Sequence, residues 1–377
     1  MTLSQNDSGR AFEYGLASSL SRHLPAPLRA SPTLLTAQRC YRACSVNEQQ
    51  HINAAADEAA LFLIAHDKRL SEKGCSVYLQ SDQLGKQGDV RDIVVHNSAL
   101  NADVGISAKN RHFAVKHSRL SGRIDFGADW LGVPCSADYF NRVSPIFDEL
   151  RRRKEQGERW SGILDKKQRY YMPIIQAFQT EMQHLFAREP QIVPKALVKY
   201  LLGRFDYYKV IKENGTVSVT SFNIDGTLLW GTRLRMPTRI VEISLKPDSQ
   251  TTLMMYFDQG WQVSFRIHNA SSRVEPSLKF DINLIGLPQA TSRQFIEYRG
   301  PNVTYVGVTA VPKHEPYRED LSRVRSEEEA EGLLRCVRCD HIERMHSEAE
   351  DEEDGDTVYC HVPGCYCDGF VSPYGIA

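Results

Sequence analysis

The sequence lacks any apolar run approaching the roughly eighteen residues that a membrane-spanning helix needs. Its first residues are polar, with Asp7, Arg10 and Glu13, and contain no apolar segment typical of a secretory signal peptide. No internal repeat is visible, which argues against solenoid and propeller architectures. We therefore expect a cytoplasmic protein that makes no membrane contact. Its 377 residues are enough to bury one large core or two moderate ones.

Cysteine is scarce over residues 1–325, which hold only four of the nine. Cys40 and Cys44 form the only close pair among them, and neither these two nor Cys75 and Cys135 show zinc-ligand pairing. We expect all four to be buried thiols, which behave as small apolar side chains.

The net charge of −1 hides an imbalance along the chain. Residues 326–377 carry 14 Asp and Glu against 3 Arg. Residues 1–325 therefore hold 43 Lys and Arg against 33 Asp and Glu, a net charge of +10. Such a basic body suits a polyanionic partner, because Lys and Arg side chains that contact phosphates release counterions. Charge alone fits a merely basic surface equally well.

Periodicity predicts an α-rich first half and a β-rich second half, together a mixed α/β (α+β) fold. Apolar residues at helical spacing predict helices over 9–23, 48–70, 136–155, 164–187 and 194–203. Ser8 is the predicted N-cap of the first. Alternating or β-branched runs predict strands over 76–80, 207–211, 216–220, 239–245, 252–257, 261–267 and 278–285. Asn214 and Gly215 form a strong hairpin signal, and 110–123 is predicted to be a basic loop.

A carboxylate and a lysine lie at the ends of two further β-branched runs. Asp92 directly precedes the run 93–95, and Lys109 follows the run 104–106. The tight connection between these runs predicts a β-hairpin, which can place Asp92 beside Lys109. Ser107 and Lys109 are two residues apart and share one face of the strand. A carboxylate that holds Mg²⁺ beside a lysine that orients water is typical of phosphodiester hydrolases, although such residues are also common solvated strand caps.

The surroundings of this hairpin make the signal specific. Four stretches together carry a resemblance: NDSGRAFEY (6–14), DVRDI (89–93), GISAKNRH with AVKHSRLS and DFG (105–127), and RIHNAS through VEPSLKF (266–280). In these stretches the chain resembles the HaeIII family of type II restriction endonucleases, members of the PD-(D/E)XK nuclease class. The resemblance implies a PD-(D/E)XK-type nuclease core that cuts double-stranded DNA with Mg²⁺, at a short GC-rich palindrome of the GGCC type.

The same resemblance implies roles for individual residues. Asp92 matches the metal-binding carboxylate, and Lys109 matches the lysine of the (D/E)XK element. Ser107 departs from the pattern, because that element has Asp or Glu at this position and a hydroxyl is a poor Mg²⁺ ligand. Water or another carboxylate must then complete the magnesium site. Glu13 matches the helix glutamate that supports the metal in related nucleases, and Asp89 is a further candidate ligand.

Two other carboxylates compete for this role. Glu58 lies on the second predicted helix and is an alternative to Glu13. Asp125 follows the basic stretch and is a further alternative to Asp89. The spacing alone leaves the choice among them open.

Cationic side chains follow Lys109 directly and recur in the second half of the chain. A cluster of this kind beside a metal site is well placed to hold scissile phosphates, while Arg and Asn commonly read guanine and adenine. A solvated basic loop is the alternative. We predict DNA contacts for Arg111, His112, Lys116, His117, Arg119, Arg266, His268 and Asn269.

The other five cysteines lie within residues 336–367. Cys-x₂-Cys with downstream His and Cys has zinc-ligand spacing, and so few apolar residues could not hold a fold without a metal. Disulfides are the alternative, which a cytoplasmic chain disfavours. We predict a module that binds one or two Zn²⁺ ions, with the candidate ligands Cys336, Cys339, His341, His346, Cys360, Cys365 and Cys367.

These observations predict a type II restriction endonuclease in three parts. The parts are a nuclease core over 1–205, a β-rich segment for DNA recognition over 206–325, and an acidic linker with the zinc module over 326–377. A palindromic cut favours a symmetric homodimer, and a cognate DNA methyltransferase is expected in the same system. Two alternatives use the same residues. One is a non-catalytic DNA-binding protein on a degenerate nuclease fold, which Ser107 would explain, and the other is a structure-selective repair nuclease.

Overall fold

The computed structural model describes residues 4–71, 73–81, 88–111, 115–247 and 249–300, and the backbone of 346–348 and 358–360. Met1–Tyr298 is one compact unit and Arg299–Ala377 is a second. The predicted boundary at residue 205 falls inside the first unit, because one sheet takes strands from both sides of it.

Three helices open the chain: α1 (Gln5–His23), α2 (Pro32–Ala43) and α3 (Val46–His66). The sequence predicted the first and third of these but not α2. Ser4 caps α1 rather than the predicted Ser8, because its side chain accepts a hydrogen bond from the backbone N–H of Asp7. The Ser8 hydroxyl instead accepts a bond of 2.7 Å from the side-chain amide of Asn110, which ties α1 to the end of a strand.

The first sheet contains β1 (Cys75–Leu79), β2 (Ile93–Asn97), β3 (Ala102–Asn110), β5 (Tyr207–Lys212), β6 (Thr216–Phe222) and β11 (Arg293–Glu297). Their order is β1-β2-β3-β5-β6-β11, and only β3 and β5 pair in parallel. Gly215, with a φ of +77°, closes the predicted β5–β6 hairpin, whereas β11 was not predicted. One face of this sheet packs against α1 and α3 through an apolar core that includes Phe12, Ile52 and Val210.

The second sheet has the order β4-β10-β9-β8-β7 and is antiparallel throughout. Its strands are β4 (Lys116–Leu120), β7 (Ile240–Leu245), β8 (Thr252–Phe257), β9 (Gln262–Asn269) and β10 (Leu278–Gly286). β4 lies where a basic loop was predicted, and the prediction was wrong there because only Ser118 and Leu120 face the core while cationic residues alternate with them.

Three helices cover one face of the second sheet: α4 (Ala137–Glu155), α5 (Met172–Arg188) and α6 (Val193–Leu202). Phe178 of α5 packs against Phe265 of β9 and Phe280 of β10, with ring centroids 5.4 and 4.9 Å apart. Both layers of this unit therefore bury apolar residues between a sheet and helices, and the predicted mixed α/β fold is confirmed.

The second unit contains a short antiparallel pair, β12 (His346–Glu348) with β13 (Val358–Cys360). His346 lies directly opposite Cys360 in this pair. The other predicted zinc ligands lie outside the described residues; they are Cys336, Cys339, His341, Cys365 and Cys367. Of the four cysteines in the first unit, Cys44 and Cys75 are buried as predicted, while Cys40 and Cys135 are partly exposed. None of the helices in the described part of the chain has the length and apolar character to cross a membrane.

Candidate active site

Asp92 lies immediately before β2, and its backbone is held on both sides. Its N–H donates to the carbonyl of Ile106 on β3 at 2.9 Å, and its carbonyl accepts from the N–H of Gln80 after β1 at 2.9 Å. These bonds extend the two strand ladders that flank β2. The position of the carboxylate is thus set by three adjacent strands rather than by a loop, which favours a precisely held functional group.

The Asp92 carboxylate accepts three hydrogen bonds from consecutive residues of β3. Its Oδ2 accepts from Ser107 Oγ at 3.0 Å, from the Ala108 N–H at 2.8 Å and from Lys109 Nζ at 3.0 Å. The predicted hairpin therefore does bring Asp92 beside Lys109. Their side chains are 22% and 30% exposed, so this charge-assisted pair is accessible to a substrate.

These groups line a cleft with a volume of about 290 Å³. Glu13 enters the lining from α1, which packs against β3. The cleft thus brings together all four residues that the sequence predicted as catalytic, namely Glu13, Asp92, Ser107 and Lys109. Glu58, the competing glutamate, is exposed on α3 and lies outside this lining.

Asp89 also lines the cleft, but its carboxylate is already engaged. It accepts hydrogen bonds of 2.8 and 2.7 Å from the guanidinium of Arg91. Burial alone would raise the pKa of Asp89, but the bonds from Arg91 and Gln80 outweigh it and hold this pKa below its usual range. Asp125 accepts bonds from two backbone N–H groups that follow it in the chain. Both carboxylates therefore have structural roles that a metal ion would have to displace.

Arg91 reaches Asp89 by crossing the backbone of Gly105 on β3. A Cβ at residue 105 would lie 2.1 Å from Arg91 Cδ, so only glycine leaves room for this side chain. The guanidinium also stacks 4.0 Å from the ring centroid of Phe205. Gly105 therefore permits the Arg91–Asp89 pair that supports the cleft beside Asp92.

Lys209 is a lining residue that the sequence reasoning missed. It lies on β5 and is buried, with 7% of its surface exposed. Burial, together with the nearby charges of Lys109 and Arg293, lowers the pKa of Lys209 to about 7 against the opposing effect of Asp92. The available signal was a lysine in the middle of the strand-like run 207–211.

Next to the cleft, three strands of the second sheet place cationic side chains on one face. We call this set the cationic face; it consists of His117 and Arg119 on β4, Lys279 on β10, and Arg266 and His268 on β9. Four of these side chains lie within 4 Å of Asp281 on β10, which is paired with His117 on one side and Arg266 on the other. The fifth, Arg119, donates to the hydroxyl of Ser277 instead. His117 also lines the cleft, so the cationic face is continuous with it.

Asp281 holds this face together. His117 Nδ1 lies 2.6 Å from its Oδ1, His268 Nε2 lies 3.0 Å from its Oδ2, and an Arg266 nitrogen lies 3.3 Å from the same Oδ2. Burial alone would raise the pKa of Asp281, but the hydrogen bonds and charges of the two histidines hold this pKa far below its usual range. The carboxylate stays ionised and orients the surrounding cations.

Comparison with known proteins shows the family to which the chain belongs. It matches the family described as HaeIII restriction endonuclease over residues 9–288, which include every residue of the cleft and of the cationic face. The chain belongs to the HaeIII restriction endonuclease family. It is 37% identical over 307 residues to a protein named type II restriction enzyme HaeIII from Haemophilus aegyptius, covering 76% of this chain and 96% of the relative. No solved structure matches the chain.

Three predicted DNA contacts of this HaeIII-family chain make hydrogen bonds within the protein. Lys116 is half-buried, donates to the carbonyl of Tyr200 at 2.8 Å and lies 3.7 Å from the centroid of its ring. Asn269 is buried, accepts from Tyr171 and donates to a nearby carbonyl. Arg111 donates to the side chain of Asn214 in the β5–β6 turn. Lys116 and Asn269 therefore do not belong to the cationic face, although Lys116 lines the cleft. Their contacts with DNA stay predictions.

Four other predicted DNA contacts, His117, Arg119, Arg266 and His268, lie together on the cationic face, which also contains Lys279. His112 lies outside the described residues. The sequence could not select among the candidates because whether a side chain points outward depends on strand register.

In the described part of this HaeIII-family chain, no group of three His, Cys, Asp or Glu side chains forms a ready-made metal centre. Three carboxylates line the cleft, those of Glu13, Asp89 and Asp92, and the Asp89 carboxylate is paired with Arg91. Mg²⁺ is usually held in proteins by one or two carboxylates, with waters and substrate phosphates as its other ligands. The donor set of the cleft is therefore compatible with Mg²⁺ in the presence of DNA.

Proposed function

We propose that this chain is a type II restriction endonuclease that hydrolyses double-stranded DNA with Mg²⁺, at a short GC-rich palindrome of the GGCC type. The observation that carries the proposal is the Asp92–Lys109 pair, with its atoms 3.0 Å apart in a cleft that Glu13 also lines. Family membership and the name of the relative support it. The protein would act in the cytoplasm as a symmetric homodimer, beside a cognate methyltransferase that protects host DNA.

Asp92 and Glu13 would hold the magnesium ion. Within the described residues, the hydrogen bonds to the Asp92 carboxylate all end on Oδ2, so Oδ1 remains available to a cation. When bound, Mg²⁺ supplies Lewis-acid stabilisation of the charge on the phosphate. This arrangement supports assignment to the PD-(D/E)XK class, with Ser107 replacing the usual acid.

Lys109 would act on the water and the phosphate. Its ammonium group is held by Asp92, so it is oriented before the substrate binds and can stabilise negative charge that develops on the phosphate. The water oxygen forms a bond to phosphorus while the bond from phosphorus to the 3′ oxygen breaks. One proton of the water is lost to solvent, and the 3′ oxygen takes up a proton and leaves as a hydroxyl.

We further propose that the cationic face binds the DNA backbone and base edges. Arg119 is exposed, and Arg266, His268 and Lys279 are half-buried, as expected for side chains that approach a groove. Asp281 would keep Arg266, His268 and Lys279 in fixed directions, which specific readout requires.

The C-terminal segment is proposed to bind zinc. The spacing of its cysteines and histidines supports this, as does the β12–β13 register, which puts His346 opposite Cys360. Elemental analysis of the purified full chain should find one or two equivalents of zinc, and Cys336→Ser together with Cys339→Ser should lower that number. A chain that holds no zinc when purified without chelators would contradict this part of the proposal.

The central experiment is incubation of the purified protein with unmethylated phage DNA and Mg²⁺, beside Asp92→Ala. We expect discrete fragments with the wild-type protein and none with the variant, and sequencing of the fragment ends gives the recognition site. Intact DNA in both lanes with a mobility shift would instead favour a non-catalytic DNA-binding protein. The observation that favours this alternative is Ser107, which stands where the nuclease class has an acid. Preferential cutting of branched DNA would favour a repair nuclease.

A further inference from the structure

A row of polar residues crosses the first sheet at the level of the catalytic pair. Ser107 of β3 lies opposite Lys209 of β5 in the parallel pairing, Lys209 lies opposite Thr220 of β6, and Thr220 lies opposite Arg293 of β11. Directly paired residues share one face of a sheet. Lys209 therefore lies on the same face as Ser107, whose hydroxyl donates to Asp92.

Two neighbouring residues of this row set the charge of the cleft. Ser107 stands where the nuclease class carries an acid, and the residue beside it in the sheet is a lysine. Compared with a site that has an acid at position 107, this cleft has one fewer negative charge, and its lining includes both Lys109 and Lys209. A cleft of this charge has more attraction for a phosphate group, because positive charges in a partly desolvated site are weakly screened.

Burial of the Lys209 ammonium group carries a desolvation cost that lowers the stability of the fold. Its side chain must remain in a strand whose neighbours Tyr208 and Val210 belong to the apolar core on the other face. A buried ammonium group needs polar surroundings, and in a cleft it can direct its charge toward a bound anion. Buried titratable groups in a cleft are for this reason candidates for function.

Lys212 provides an internal comparison on the same strand. It is also buried, with 3% of its surface exposed, and burial lowers its pKa to about 8. Its position three residues further along β5 puts it on the opposite face of the sheet, and it is not among the residues that line the cleft. A buried lysine on β5 is therefore tolerated without contact with the active site, and what distinguishes Lys209 is its place beside Ser107 and Asp92.

We propose that Lys209 is a second catalytic cation, which contacts the scissile phosphate from the floor of the cleft. In this arrangement Lys109 and Lys209 approach the phosphate from adjacent strands. Because Ser107 offers no carboxylate to a metal ion, the ammonium group of Lys209 supplies the charge stabilisation that an acid at position 107 would provide by holding metal. An anionic phosphate in the cleft would favour the charged form of Lys209. This inference rests on the proposed nuclease function.

The test compares Lys209→Met with Lys212→Met in the full chain. Single-turnover cleavage of a duplex carrying the site mapped with wild-type protein should slow by about 100-fold or more for Lys209→Met, the usual cost of removing one electrostatic contact to a transition state. Lys212→Met should cleave at close to the wild-type rate. Lys209→Arg should restore part of the rate, because it returns the positive charge. DNA affinity without added divalent ions should fall far less than the cleavage rate for Lys209→Met, because one phosphate contact is a small part of the whole interface, and should stay at the wild-type value for Lys212→Met.

Two controls separate catalysis from folding and from metal binding. The cleavage rate of Lys209→Gln is measured beside that of Lys209→Met. The melting temperature of each variant shows whether it is folded, so that at least one folded neutral variant is compared with wild type. Equal cleavage by wild type and both neutral variants would overturn the proposal. A rate that high Mg²⁺ restores would also overturn it, because Lys209 would then act only through Asp92. Wild-type protein that cuts no DNA would overturn the proposed nuclease function itself. The results for the variants bear only on the role of Lys209.

Discussion

Lys109 Nζ lies 3.0 Å from Asp92 Oδ2, across two adjacent antiparallel strands. The two residues are seventeen positions apart in the chain, and the tight β2–β3 connection brings them together. Ser107 and the Ala108 N–H donate to the same oxygen, so the carboxylate has a fixed orientation before any ligand binds. Preorganisation of this kind is the main source of catalytic power in polar active sites, and it makes the pair the first target for mutation.

Asp92→Asn should abolish cleavage while preserving DNA binding. The amide keeps the size of the side chain but loses the charge that would hold Mg²⁺, and a bound metal contributes several kcal/mol to transition-state stabilisation. We expect a rate loss of roughly a thousandfold or more. Single-turnover cleavage and fluorescence anisotropy with the same labelled duplex measure the two properties. A variant that loses affinity as much as rate would place Asp92 in DNA binding or folding instead.

Glu13→Gln and Glu58→Gln form a matched pair. Glu13 lines the cleft and Glu58 is exposed on α3 outside it, so only the first change should affect catalysis. We expect Glu13→Gln to lower the rate by about 10–100-fold and to raise the Mg²⁺ concentration for half-maximal activity, as is typical when support for a metal is lost. A magnesium titration of both variants measures this. Equal curves for the two variants would remove Glu13 from the metal site.

Gly105→Ala should damage the cleft although it replaces no charged residue. The new Cβ would lie 2.1 Å from Arg91 Cδ, so Arg91 must move and its bonds to Asp89 must weaken. Overpacking of this kind costs about 1–3 kcal/mol in the free energy of unfolding. Gly9→Ala is the control, because no atom lies within 4 Å of its added Cβ. Denaturant unfolding should show a lower midpoint for the first variant only.

Asp67→Asn should destabilise the fold and change its response to acid. The buried Asp67 carboxylate accepts from Arg69 at 2.5 and 2.9 Å and from the Tyr208 hydroxyl at 2.8 Å. Removing one partner of such a buried pair costs about 3 kcal/mol or more. Arg22→Gln is the control, because the Arg22–Asp57 pair is exposed and should contribute little.

The pH dependence has a definite sign. Burial alone would raise the pKa of Asp67, but the hydrogen bonds and the charge of Arg69, with the bond from Tyr208, outweigh it and lower this pKa. A carboxylate whose pKa is lowered in the folded state stabilises the fold above the unfolded pKa of about 4, and this contribution is lost as the pH falls further. The melting temperatures of wild type and Asp67→Asn, measured from pH 6 down to about pH 2, should therefore converge. A constant difference would contradict the assignment.

Arg119→Gln should weaken DNA binding and lower its dependence on salt. Arg119 is an exposed member of the cationic face, and each phosphate contact contributes about 0.9 to the slope of log affinity against log salt concentration. We expect that slope to fall by about one. Arg152 is exposed on α4, which lies on the other face of the sheet, so Arg152→Gln should leave the salt dependence of DNA binding unaltered. Anisotropy titrations at several salt concentrations measure both, and equal slopes would place Arg119 outside the interface.

Much of the architecture was predictable because it depends on local pattern. Helices α1, α3, α4, α5 and α6 and most strands follow from apolar periodicity, and the pairing of Asp92 with Lys109 follows from a short hairpin. The failures have local causes as well. Cationic residues concealed the alternation of β4. The sequence could not distinguish Ser4 from Ser8 as the N-cap of α1, because both are suitable N-cap residues, and the structure shows that Ser4 is the cap.

The sequence by itself determined the elements, the carboxylate–lysine hairpin and the family resemblance, since these depend on residues close together in the chain. Only the tertiary structure decided which distant residues share the site. Glu13 rather than Glu58 lines the cleft because α1 packs on β3, and Lys209 joins it because β5 pairs in parallel with a strand about a hundred residues earlier. The cationic face likewise arises from the register of three strands. Such contacts depend on long-range pairing, which no local pattern encodes.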